Sequence, residues 1–160
     1  MASSNFLSKF NWRLIVIHTI ALGFFIYAFK MFVYLHDPEI WVKMEHGNVV
    51  GVDTKRYVND VYWGAFSGLV GAFIGLIISL LLSLKNKWYW LNSVIAVVIA
   101  VNLMEYDLFG WGLLKHILLL PGTILESYNG YVLVNGFVML AIGALLFFLK
   151  PIRKFINSGF

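Results

Sequence analysis

The chain contains no cysteine, which removes disulfides, thiolate nucleophiles and cysteine-based metal sites from its chemistry. No Asn-x-Ser/Thr acceptor occurs, and neither His-x-x-x-His nor His-x-x-Glu-His spacing is present for a zinc site on a helix. Charge is scarce as well. Asp, Glu, Lys and Arg make up 12% of the residues, against roughly a quarter in a soluble domain. These shortages leave no cofactor to expect and point away from a water-soluble enzyme.

What is present is apolar sequence in long blocks. Hydrophobic residues make up 61% of the chain, and they cluster into runs of the length a bilayer demands, about 20 residues each. Four spans are predicted: Leu14–Leu35, Val61–Leu84, Trp88–Met104 and Tyr131–Leu149. The start, MASSNFLSKFNWR, is short and basic like the first region of a signal peptide. The apolar run behind it is too long for a cleaved signal and lacks a small-x-small site, so it reads as the first span. No internal repeat or linker divides residues 1–160, which form a single membrane domain.

Charge segregates between the connections. Lys9, Arg13, Lys85, Lys87, Lys150, Arg153 and Lys154 lie on one side without an acid. All eight acids (Asp37, Glu39, Glu45, Asp53, Asp60, Glu105, Asp107 and Glu126) lie on the other, with Lys43, Lys55, Arg56 and Lys115. The positive-inside rule then puts both termini in the cytoplasm, with a bacterial inner (plasma) membrane as the expected location. The formal charge of +4 is thus an orientation signal facing anionic headgroups, and nucleic acid is not an expected partner. Trp12, Trp88 and Trp90 are expected at the inner interface, and Trp63 and Trp111 at the outer one.

Two outer segments carry structure of their own. In residues 36–60, Trp41–Glu45 and Val49–Asp53 flank His46-Gly47-Asn48. A three-residue loop pairs Glu45 with Val49 and places Val42, Met44, Val50 and Val52 on one face, so a small β-hairpin is predicted. In residues 105–130, LFGWGLLKHILLLPG is too short to span and reads as an interfacial or re-entrant helix ending before Pro121-Gly122. The fold class is therefore an all-α membrane protein: a four-helix bundle with one extracytoplasmic hairpin and one interfacial segment.

Candidate residues fall into two groups. Gly64, Gly68, Gly71 and Gly75 are spaced four, three and four apart on span 2, with Ala65, Ala72 and Ser79 thickening the stripe. Small residues let helix backbones approach inside lipid, where no hydrophobic force drives helices together. The stripe serves either packing within the bundle or a contact with another copy or another membrane protein. The second group is polar. Lys30 lies in the outer third of span 1, within snorkelling reach of its end and level with Glu105 on span 3. Asn102 is three residues before Glu105 and so on its face, and Asn135 lies near the outer end of span 4. Together these four could line an outer cleft for a lipid or other ligand. His18, one turn inside span 1, reads as a hydrogen-bonded packing residue.

The sequence Asn102-Leu103-Met104-Glu105 on span 3, Val132-Leu133-Val134-Asn135 on span 4 and YWGAFSG at Tyr62–Gly68 give the chain a further feature. With four spans, inward termini and a β element after span 1, it resembles signal peptidase II, the membrane aspartyl peptidase that cleaves prolipoproteins. The resemblance implies catalytic carboxyls at the outer ends of spans 3 and 4. Here the first position is Glu105 and the second is Asn135, with Val132 for that motif's asparagine, Val101 for the glycine and Tyr106 for the basic residue. Aspartyl hydrolysis needs two carboxyls, one to activate water and one to protonate the leaving group. An amide does neither, so the resemblance implies a relative that binds lipid or lipopeptide without cutting it. A channel would need a polar stripe along a whole span, and none exists. The leading expectation is a small non-enzymatic accessory or assembly subunit acting through helix packing, in contact with membrane lipids.

Overall fold

The computed structural model describes residues 9–38, 53–105 and 112–158, apart from the side chains of 104–105 and 112–116. Among the described residues six α-helices run in chain order: α1 (Trp12–Val33), α2 (Thr54–Lys85), α3 (Leu91–Glu105), α4 (Gly112–Thr123), α5 (Tyr128–Phe148) and α6 (Lys150–Asn157). Three of them, α1 with its 3-10 extension to His36, α2 and α5, are long and apolar enough to cross a membrane. The protein is an all-α, multi-pass membrane protein.

Helix α1 is the hub. Asn11 caps it by accepting the Leu14 N–H at 3.1 Å, satisfying one of the donors that a helix start leaves open. Along its length Leu14, Ala21, Leu22, Phe25, Ile26, Ala28 and Met31 are all buried. A helix apolar all round belongs inside, and α1 packs against α2, α3 and α5 at once. Phe25 and Phe147 meet edge to face at 5.7 Å between ring centres and help close the α1–α5 seam.

Helix α2 has 32 residues, about 48 Å of helix, against a hydrocarbon core of about 30 Å. It starts at Thr54, capped by the Asp53 side chain on the Lys55 N–H, seven residues before the span predicted from Val61. The early start has a physical cause. The end of α1 holds those extra turns, through His36 with Asp60 and Asp37 with Arg56. At the other end, the Lys87 N–H bonds the Leu84 carbonyl at 3.3 Å and the Trp88 N–H bonds the Ser83 carbonyl at 2.8 Å. This paired closure is a Schellman motif, and Lys87 takes its left-handed position at φ 59°. The turn carries Trp88 inward, where it is 6% exposed and its Nε1 donates to Asn157 Oδ1 at 2.7 Å. Trp88 is therefore a core residue in the turn at this end of the bundle, covered by protein. Trp12, Trp63 and Trp90 are exposed, and Trp111 lies outside the described residues.

Helix α3 begins at Leu91, after that turn, and has 15 residues, about 22 Å. It is shorter than α1, α2 and α5 and than the span predicted from Trp88. Ala96 and Ala100, one turn apart and fully buried, belong to the core cluster built around α1.

Helix α4 runs through Pro121 to Thr123, where a stop before Pro121 was expected. Two bonds support the extra turn. Thr123 Oγ1 donates to the Leu120 carbonyl at 2.7 Å, and the Gly122 N–H donates to Asn135 Oδ1 at 2.9 Å. The helix packs along α5 and buries Leu119 in the cluster with Phe24, Met31 and Val132. Ser127 then caps α5 by accepting the Gly130 N–H. After extended Leu149, Pro151 opens α6, where a missing N–H costs nothing. Ile152 and Ile156 turn into the core. The predicted hairpin falls largely in residues 39–52, outside the described residues.

Candidate functional site

The glycine stripe of α2 faces α1. A Cβ added at Gly71 would lie 2.7 Å from the Phe25 carbonyl oxygen, a backbone atom that cannot move aside. At Gly64 it would meet the Tyr34 ring, at Gly68 the Lys30 stem and Ile26, and at Gly75 Leu22. The stripe is the seam on which the first two long helices close, and the close approach makes room for large α1 side chains to cross it. It is occupied within the monomer.

Buried polar side chains then tie the remaining helices to that pair. His18 Nδ1 lies 2.6 Å from Ser79 Oγ, joining α1 to α2. Ser67 Oγ donates to the Phe29 carbonyl at 3.0 Å, one helical segment further along the same seam. Thr19 Oγ1 donates to the Ala96 carbonyl on α3 at 3.3 Å. Asn92 on α3 accepts the Asn11 N–H and donates to the Lys9 carbonyl, both at 3.2 Å. Asn11 Nδ2 in turn donates to the Ile156 carbonyl of α6 at 2.9 Å. Ser83 and Ser93, at 2.8 Å, bridge α2 and α3 across their short turn.

A buried Ser–His pair invites comparison with an activated nucleophile. His18 and Ser79 are both 0% exposed, and the imidazole is enclosed edge-on by Phe147 and Trp88. Its Nε2 has no partner, so no third group orients the ring. This arrangement packs helices. Composition alone marked His18 as a packing residue and Ser79 as a small one, but their pairing needed the helix register.

Of the four polar candidates, Lys30, Asn102 and Asn135 have described side chains, and the two asparagines are engaged separately. Lys30 lays its stem across Gly68 of α2. Asn102 is exposed and its Nδ2 donates to Val98, its own helix's carbonyl one turn back, at 2.7 Å. Asn135 is 0% exposed and holds Gly122. Helix α3 packs on α1 and α2, while α5 packs on α1 and α4. Asn102 and Asn135 are thus carried by helices on different sides of the hub. The Glu105 side chain lies outside the described atoms.

Residues missed from sequence gather where α1 meets the start of α2. His36 Nε2 lies 2.9 Å from Asp60 Oδ1, and Asp60 is 1% exposed. The neighbouring Asp37 pairs with Arg56. Arg56 and Asp60 are four apart and share a helix face, so two adjacent residues just past the end of α1 clamp one turn of α2. The spacing of Arg56 and Asp60 was visible in the sequence, but their partners were not. Among the described residues, no group of three His, Asp or Glu side chains could hold a metal ion. No protein-family model, no curated protein and no solved structure matches this chain.

Proposed function

We propose that this protein is a small non-enzymatic accessory or assembly subunit of a bacterial inner membrane. In this reading α3 makes a fourth crossing, aided by its flanking turns, and the basic helix ends face the cytoplasm. The observation that carries it is the commitment of the buried polar side chains. His18, Ser67, Ser79, Asn11, Asn92 and Asn135 each bond to another helix or its cap, which leaves them holding architecture. Because α1 fills the glycine stripe, a partner helix meets the opposite face of α2, where Trp63, Phe66, Leu69, Phe73 and Ile77 are exposed. Aromatic and branched side chains on a lipid-facing helix offer the shape for van der Waals packing, the force that associates helices in bilayers.

The test is native mass spectrometry after gentle extraction from the source membrane. A fixed stoichiometry with itself or a second protein, weakened by Phe66→Ala with Phe73→Ala, is the expected result. A monomer in wild type and variant alike overturns the reading. The resemblance to signal peptidase II carries the second reading, a lipid or lipopeptide held near Lys30, Asn102, Glu105 and Asn135. It ranks below the first because Asn135 is engaged with Gly122 and Asn102 with its own helix.

A further inference from the structure

Where α2 ends against α6, a groove of about 360 Å³ opens between the helices. Its wall is apolar, built from Ile78, Leu81 and Leu82 of α2 and Phe148 at the end of α5, and Lys85 and Arg153 complete the lining. This volume is at the small end of ligand sites, enough for a headgroup and the first part of one chain.

Among the described residues, no acid pairs with either cation. All eight acids of the chain fall between residues 37 and 126 in sequence, and the described ones, Asp37, Asp53, Asp60 and Glu126, lie at the opposite ends of the long helices. Arg153 Nε is shielded from solvent without a hydrogen-bond partner. Leaving a buried charged donor unpaired is costly. A phosphate offers a guanidinium the fork-shaped acceptor its geometry matches. The apolar wall continues from these cations toward the membrane interior along Leu81 and Ile78, each about a turn further down α2. A free phosphate uses only the cations. A molecule with a phosphate and a hydrocarbon tail uses the whole groove.

We propose that this groove binds an anionic phospholipid from the leaflet bordering the basic helix ends. Its phosphate lies between Lys85 and Arg153, and the start of one acyl chain lies against Ile78, Leu81 and Phe148. The lipid bridges α6 and the end of α2, beside the bond from Trp88 in the turn to Asn157.

The protein is purified in detergent, stripped of lipid, and titrated with phosphatidylglycerol or phosphatidylcholine of matched chains, with adducts weighed by native mass spectrometry. A one-lipid adduct is expected at roughly tenfold lower concentration of phosphatidylglycerol, the scale of one charge-assisted contact. Arg153→Gln and Lys85→Gln remove this preference. Lys154→Gln, an exposed cation on the same helix that does not line the groove, retains it. Equal adducts with both lipids in the wild type overturn the proposal. So does an equal loss in Lys154→Gln, which would mean diffuse charge attraction rather than a site. If Arg153→Gln does not fold, the wild-type selectivity and Lys85→Gln against Lys154→Gln decide the matter alone.

Discussion

Asn135 Oδ1 accepts the Gly122 N–H at 2.9 Å, and the same asparagine leaves its Nδ2 buried without a partner. Half of this amide ties α4 to α5 and the other half carries an unmet cost. Asn135→Leu loses the tie but also removes the orphaned donor, so its net cost is about 1 kcal/mol. Asn135→Asp keeps an acceptor and places a carboxylate in a sealed apolar site, which costs more. Thermal unfolding in detergent should rank wild type above Asn135→Leu, and that above Asn135→Asp. An aspartate tolerated as well as asparagine would reverse the packing assignment and favour the carboxyl position of the peptidase resemblance.

Three glycine substitutions separate the tight seam from a buried position with room to spare. Gly71→Ala pushes a methyl group into the Phe25 carbonyl and should cost about 1–3 kcal/mol. Gly68→Ala meets the Lys30 stem, which can swing, and should cost less. Gly23 has nothing within 4 Å of an added Cβ, so Gly23→Ala should stabilise α1 by about 0.5–1 kcal/mol. Unfolding midpoints of the three variants in one detergent check the order.

Removing Ser79 Oγ leaves His18 Nδ1 without its bond. Interhelical hydrogen bonds in membranes average about 0.6 kcal/mol, with a maximum of about 1.7. Ser79→Ala should fall near the upper figure, because both ring nitrogens are then unpaired. A double-mutant cycle with His18→Leu should show positive coupling, since the apolar double variant has no orphan left. Additive losses would mean that the 2.6 Å contact contributes nothing.

The clamp at the end of α1 contains one exposed and one buried partner. Arg56 is 59% exposed, so Arg56→Gln should cost well under 1 kcal/mol and lose its effect in high salt. Asp60→Ala removes a buried carboxylate facing His36 and should cost more, with little salt dependence. Melting at low and high sodium chloride distinguishes the two.

The absence of cysteine makes topology directly measurable, because any introduced thiol is unique. Lys55→Cys and Lys154→Cys lie near opposite ends of the long helices, at exposed positions. In intact cells a membrane-impermeant maleimide should label Lys55→Cys and should reach Lys154→Cys only after permeabilisation. The opposite pattern would invert the proposed orientation.

Membrane residence was legible in the sequence because a bilayer asks only for length and apolarity, and Val61–Leu84 satisfies both without reference to any neighbour. The stripe from Gly64 to Gly75 was legible too, since small residues at helical spacing are a local signal. Which helix fills the stripe was not. In lipid nearly every face of α1, α2 and α5 is apolar, so periodicity does not say which face meets which partner. That choice rests on matching individual side chains across long sequence separations. Asn11 meets Asn92 and Ile156, 81 and 145 residues away, and His18 meets Ser79, 61 away. The sequence by itself determined that this is a multi-pass membrane protein whose acids are all kept away from seven of its twelve basic residues. Only the packed structure decided that α1 is the hub, that Trp88 is core, and that Asn102 and Asn135 serve different helices. Burial inside a bundle is a property of three-dimensional neighbours, and hydropathy does not encode it.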